Sequence, residues 1–124
     1  MSEIKILGRC LGQGADGSIW FFCPGCNGPH SIRVNSPNTP GPNWGYNGNP
    51  DLPTFTPSVH VTGVHHLTEE EYATLTAGGH VQPRPLSCHS FVTDGRIQYL
   101  GDCTHSMAGK TVDLPEWSKA WEAW

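Results

Sequence analysis

A small β-rich α+β domain is the fold class that this sequence predicts, and three observations carry the prediction. Its apolar residues gather in short runs rich in β-branched and aromatic side chains. Those runs are punctuated by 15 Gly and 11 Pro among 124 residues, the composition of a turn-rich chain. Helical patterning is confined to a stretch after Thr68 and to the C-terminal segment. A Cys-x2-Cys knuckle at Cys23 and Cys26, a hairpin carrying Cys88 and Cys103, and a C-terminal helix are the landmarks.

The elements follow in order. "IKILGRCL" reads as a first strand, "GQGADG" as a turn and "SIWFFC" as a second strand. After "CPGC", "PHSIRV" reads as a third short strand. Ser36–Pro53 is a long loop dense in Pro, Gly and Asn, and loops of that length are usually functional or mobile. Within it, Trp44 and Tyr46 read as core anchors, with the floor of a binding groove as the alternative. "TFTPSVHVTGV" is a strand, with Pro57 marking an edge or a bulge. "TEEEYATLTA" is a helix, with Thr68 as N-cap, Glu71 completing a capping box, and Gly78-Gly79 ending it. "LSCHSFVTDGRIQYLGDCTH" is a hairpin turning at Asp94-Gly95. "DLPEWSKAWEAW" is a helix with Asp113 as cap and Pro115 in its first turn. Its stripe of Trp117, Trp121 and Trp124 reads as a face docked onto the sheet, with a partner-binding face as the alternative.

Length suits one domain spanning residues 1–124. A net charge of −4 and a pI near 5.9 leave no basic stripe, which argues against nucleic acid. No apolar run is long enough for a membrane span. "MSEIKILGRC" lacks the pattern of a signal peptide, so a cytoplasmic location is expected. The five cysteines are then expected as metal ligands or thiols and not as disulfides.

Cys23-Pro24-Gly25-Cys26 lets two thiolates converge on one tetrahedral ion, and its β-turn context favours structural zinc over redox chemistry. A small core also gains from such a staple. The hairpin supplies the remaining ligands. With Asp94-Gly95 as a two-residue turn, Thr93 faces Arg96, His89 faces Leu100 and Cys88 faces Gly101. Cys103 then reaches the same ion. Cys23, Cys26, Cys88 and Cys103 are the expected zinc ligands, with His30, His89 and His105 as substitutes. Cys10 reads as a buried apolar residue. His60, His65, His66 and His80 read as surface residues.

With the cysteines committed to metal, His89, Asp102 and His105 remain. A histidine beside a carboxylate has a fixed tautomer and the basicity of a general base. Ser58, placed by Pro57, is the best candidate nucleophile. Ser90 alternates to the other strand face, and Ser106 lies in a turn. Ser58, His89 or His105, and Asp102 therefore form a possible nucleophile, base and orienter. The sequence has no H-E-x-x-H and no deaminase signature, and a four-ligand site is closed, so catalytic zinc is disfavoured.

The stretches "FFCPGCNGPHSIRV", "NWGYNG", "PTFTPS", "CHSFVTDGRIQYLGDCTH" and "AGKTVDLPEW" together resemble a small uncharacterised-domain family of phage and bacterial zinc-knuckle proteins. Its members often carry the label "ammonia monooxygenase", which nothing in this sequence supports. The resemblance runs from Phe21 to Trp117, with an insert near Thr62–Pro85. That family is similar to serine-type peptidases encoded beside bacterial ubiquitin-like conjugation genes. The resemblance implies a peptidase that processes or removes a ubiquitin-like protein by a serine mechanism. Pro57-Ser58 matches the family's Pro-Ser motif, Cys88-His89 its Cys/His motif, and Cys23 and Cys26 its knuckle. In more distant relatives two residues separate that Cys and His. Their adjacency here leaves His89 open as base or ligand, and His105 as its rival.

The expectation is therefore a zinc-stabilised serine-type peptidase acting on a protein or peptide, with Trp44 in one wall of an extended-peptide groove. The alternative is a non-catalytic phage-type zinc module that binds and blocks a host defence protein.

Overall fold

The computed structural model describes residues 4–34 and 43–123. The first part of the chain forms one antiparallel sheet of β1 (Lys5–Ile6), β2 (Gly12–Gln13), β3 (Ile19–Cys23) and β4 (Gly28–Ile32), paired in chain order. The second antiparallel sheet contains β5 (Gly45–Tyr46), β6 (Phe55–Val64), β7 (Pro85–Thr93), β8 (Arg96–Tyr99) and β9 (Thr111–Asp113), also in chain order. Helix α1 (Glu69–Thr76) joins β6 to β7, and α2 (Trp117–Ala123) follows β9.

One cluster of buried residues draws on both sheets. Phe21 of β3 stacks on Phe55 of β6 at 5.9 Å, and Tyr46 of β5 lies 5.4 Å from Phe55. Burying a side chain of this size contributes roughly 1.5–3 kcal/mol, so these rings are a main link between the sheets. Strand β7 alternates cleanly in its second half. Cys88, Ser90 and Val92 face the core, while His89, Phe91 and Thr93 face outward.

The hairpin turns where the Asp-Gly pair predicts. Asp94 (φ 49°) and Gly95 (φ 77°) both have positive φ, as a two-residue type I′ turn requires. Thr93 pairs with Arg96, and the Leu100 N–H donates to the His89 carbonyl at 2.9 Å, so the expected register is present.

Helix α1 is capped at its N-terminus by both hydrogen bonds of its box. Thr68 Oγ1 accepts from the Glu71 N–H, and Glu71 Oε1 accepts from the Thr68 N–H. Gly78, at φ 86°, lies just past its C-cap. Helix α1 has no buried residue, and the Arg84–Glu71 ion pair at 2.8 Å ties it back to the chain.

Trp117 is 1% exposed and stacks on Trp121 at 5.3 Å, and Trp121 meets Trp20 edge-on at 6.3 Å. The stripe is thus docked on β3, as expected for these two residues; Trp124 lies outside the described residues. Gly12 is required at this contact, because a Cβ there would sit 2.5 Å from the Trp117 indole nitrogen.

Three sequence expectations need correction. The first strand, expected over residues 4–11, is only β1, and the expected turn after it opens with β2, because the chain bends at 8–10, where Arg9 and Cys10 donate backbone N–H groups to Asp51 and Pro50. Asp113 does not cap the C-terminal helix. It lies in β9, opposite Arg96, and α2 begins at Trp117. The long loop contains β5, while its residues 36–42 lie outside the described residues.

Candidate functional site

Ser58 sits in a bulge of β6. Phe55 pairs with Val92 and Val59 with Ser90, so Thr56, Pro57 and Ser58 face the single residue Phe91. A bulge re-aims side chains, and here it brings Ser58 Oγ to 2.8 Å from His89 Nε2. Trp44 fixes the backbone beside it, its indole N–H donating to the Ser58 carbonyl at 3.1 Å. The same indole lines a cavity of about 290 Å³ with Asp16, Ser18, Trp20, Ser31, Ile32 and Arg33.

The other His89 ring nitrogen, Nδ1, lies 3.3 Å from Asp102 Oδ2. Ser58, His89 and Asp102 thus form one continuous row, with His89 half-buried and Asp102 58% exposed. The Ser58 hydroxyl can donate to Nε2 only in the tautomer that carries its proton on Nδ1, and Asp102 is placed to accept the hydrogen bond from that N–H. His60 is the residue that sequence reasoning passed over. It lies opposite His89 in the strand pairing, and the two rings stack at 4.8 Å. The signal was present as alternation, because Ser58 and His60 occupy the same face of β6.

The opposite face of β7 carries the cysteine cluster. Ligand atoms of Cys23, Cys26, His30 and Cys88 all lie within 4.8 Å of one another, close enough to bind a metal. The donor set passes two tests. The Cys23 and Cys88 sulfurs are 3.9 Å apart, near the edge of about 3.8 Å for a tetrahedron with metal–sulfur bonds of about 2.3 Å. His30 Nε2 is buried with no hydrogen-bond partner among the described residues, and a buried nitrogen of that kind is costly unless something binds it. Hydrogen bonds from Cys26 and Cys88 pull the Cys23 thiol far below its ordinary range. The Cys23 contact pushes Cys26 up to about 12, and Cys88 is likewise pushed up chiefly by Cys23.

Cys103 was expected as the fourth ligand of this group; among the described residues it is His30 whose ring nitrogen lies within 4.8 Å of the Cys23, Cys26 and Cys88 sulfurs. The β3–β4 hairpin turns the chain back so that His30 pairs with Phe21, beside the knuckle. Cys103 follows β8 in a turn, where its sulfur accepts from the His89 N–H at 3.3 Å and donates to the His89 carbonyl at 3.2 Å. It forms a second group with Cys88 and His105.

His105 also lies on the side of the cysteine cluster. Its Nε2 is 3.3 Å from Cys88 Sγ, its Nδ1 accepts the Met107 N–H at 3.2 Å, and its ring meets Tyr99 at 4.6 Å. With Nδ1 accepting, neutral His105 carries its proton on Nε2 and donates to the sulfur. Tyr99, which no motif singled out, accepts the Gly25 N–H at 2.9 Å and directs its hydroxyl to Cys23 Sγ at 3.1 Å. Ser90 is 1% exposed on the core side, and Ser106 is exposed in a turn.

A serine hydroxyl on one imidazole nitrogen, with a carboxylate on the other, is the arrangement of serine-type hydrolases. The chain matches the family described as "Bacterial ubiquitination-like system serine protease (BubE)" over residues 4–100, and it belongs to that family. No curated protein and no solved structure matches it. Among the described residues no helix is long and apolar enough to cross a membrane.

Proposed function

We propose that this chain is a zinc-stabilised serine peptidase that processes or removes the tail of a ubiquitin-like protein. One observation carries the chemistry: Ser58 Oγ lies 2.8 Å from His89 Nε2, in a member of a serine protease family. Ser58 Oγ attacks the scissile carbonyl as its proton passes to Nε2. The leaving amine takes that proton and departs, leaving an ester on Ser58. Water then cleaves the ester, with His89 again receiving and returning the proton. Asp102 orients the ring through Nδ1. The wall made by Trp44 and its cavity suits an extended peptide approaching the Ser58 bulge.

Zinc is proposed at Cys23, Cys26, His30 and Cys88. Four protein ligands close the coordination sphere, so the ion supplies stability and not a bound nucleophile.

The test is cleavage of a fusion with a ubiquitin-like protein at its N-terminal side. Ser58→Ala is expected to lose at least about 10³-fold in rate while keeping its Tm and metal content. A variant that still cleaves removes Ser58 from the mechanism. A wild type that cleaves no such fusion, yet binds a partner protein, points to the blocking-module alternative.

A further inference from the structure

We propose that His60 is a positioning residue for His89, an inference that rests on His89 being the base. His60 lies directly across the β6–β7 pair from His89. The two rings stack with centroids 4.8 Å apart and planes 28° apart. His60 is itself held, because its Nε2 lies 2.8 Å from Ser87 Oγ. Ser87 in turn is fixed by Thr104: its N–H donates to Thr104 Oγ1 at 2.9 Å, and its carbonyl accepts the Thr104 N–H at 2.9 Å. The stack is therefore tied through Ser87 to Thr104, on the exposed face of the sheet.

His89 needs such support. The torsion that sets an imidazole's plane is broad. The Cβ–Cγ bond and the Ser58 contact at Nε2 lie near one axis, so tilting of the ring about that axis is resisted mainly at Nδ1. The Asp102 contact there is long, at 3.3 Å, and its carboxylate is 58% exposed, where a charged partner restrains little. A ring packed against the face of His89 blocks the tilt that edge contacts permit. Small losses of alignment cost rate and not affinity.

The experiment uses the metal-loaded chain and a small alkyl fluorophosphonate. The Ser58 oxygen attacks phosphorus, fluoride leaves, and His89 takes the hydroxyl proton, so labelling reports the base without requiring the natural substrate. The saturating labelling rate, the half-saturating concentration and the labelled residue are measured, the last by mass spectrometry. His60→Ala is expected to lower the saturating rate about 10-fold, the upper end of what an aromatic pair contributes, with half-saturation and Tm unchanged. His60→Phe keeps the ring and loses the Ser87 contact, and it is expected to recover to within about 3-fold of wild type. The His89 ring resonances shift in His60→Ala if the stack exists in solution. Wild-type labelling rates in His60→Ala overturn the inference, as do unchanged His89 resonances or a His60→Phe as slow as the alanine variant. A wild type that is folded but unlabelled at Ser58 overturns the nucleophile assignment, and the inference with it.

Discussion

Cys88 and His89 are neighbours in the chain and face opposite sides of one sheet. Cys88 is 1% exposed and joins the Cys23–Cys26–His30 cluster, while His89 reaches out to Ser58. The strand pleat separates a candidate metal-binding cluster from a candidate catalytic row. It also ties them together, since any shift of β7 that relaxes one moves the other.

The ligand assignment is open to a direct count of metal per chain. Cys26→Ser and His30→Ala are expected to lose bound zinc and to lower Tm by at least about 10 °C. Cys103→Ser is expected to retain zinc, because its sulfur is engaged with the His89 backbone. If Cys103→Ser empties the site while His30→Ala stays loaded, the two residues must exchange roles.

His89 and Asp102 are predicted to differ in weight. His89→Asn removes the base, and a drop of at least about 10²-fold is expected. Asp102→Asn is expected to cost only about 10-fold, well short of the roughly 10⁴-fold that follows loss of a buried orienting carboxylate. The reason is exposure: at 3.3 Å and 58% exposed, Asp102 is well screened by water. Equal losses in both variants, measured as kcat/KM on one substrate, would make Asp102 a full partner.

The parts that depend on local pattern were legible in the sequence. The Asp94-Gly95 turn dictates the hairpin register, and the Thr68–Glu71 box dictates the start of α1. The pleat rule placed Ser90 on the opposite face from His89. What the sequence did not disclose were contacts made across long separations. His30 joins the cluster only because β4 folds back beside β3, and a Cys-x2-Cys-x3-His spacing alone does not separate it from His105. Tyr99 looks like any inward strand aromatic until its hydroxyl is found on Cys23. Asp113 was read as a helix cap because Asp before a Pro-led helical stretch is a cap signal, whereas its place in β9 is set by pairing with Arg96. The bulge at Pro57 was readable, but not that it would aim Ser58 at His89.

Strong acid should loosen the insert between β6 and β7. Hydrogen bonds from Arg84 hold the Glu71 carboxyl down at about 2, below the ordinary value of about 4.3. A depressed carboxyl contributes stability that is fully present above the unfolded value and is lost as pH falls through the folded one. Amide protection in α1, taken relative to the unstructured exchange rate at each pH, is therefore expected to be unchanged above about pH 5 and to fall between about pH 4 and pH 2. Glu71→Gln should remove that step. Its persistence in the variant would assign the acid effect to another group.

Trp44 offers the most specific test of how the site is held. Its indole N–H donates to the Ser58 carbonyl at 3.1 Å, so it fixes the bulge that carries the hydroxyl without touching the hydroxyl. Trp44→Phe keeps an aromatic ring against the core and removes one donor. A single hydrogen bond of this kind contributes about 1 kcal/mol, so the stability change should be small. The effect on rate should be larger in proportion, because the Ser58 carbonyl then has no donor from Trp44 and Ser58 Oγ can drift from His89. A fall of about 5-fold in kcat is expected if the full energy of that bond acts on alignment. Trp44→Ala also removes the wall of the adjoining cavity, and it should raise KM as well. If Trp44→Phe matches wild type in kcat while Trp44→Ala raises KM, the residue serves the groove alone. If both variants leave both constants unchanged, Trp44 is an anchor for its loop and has no part in the site.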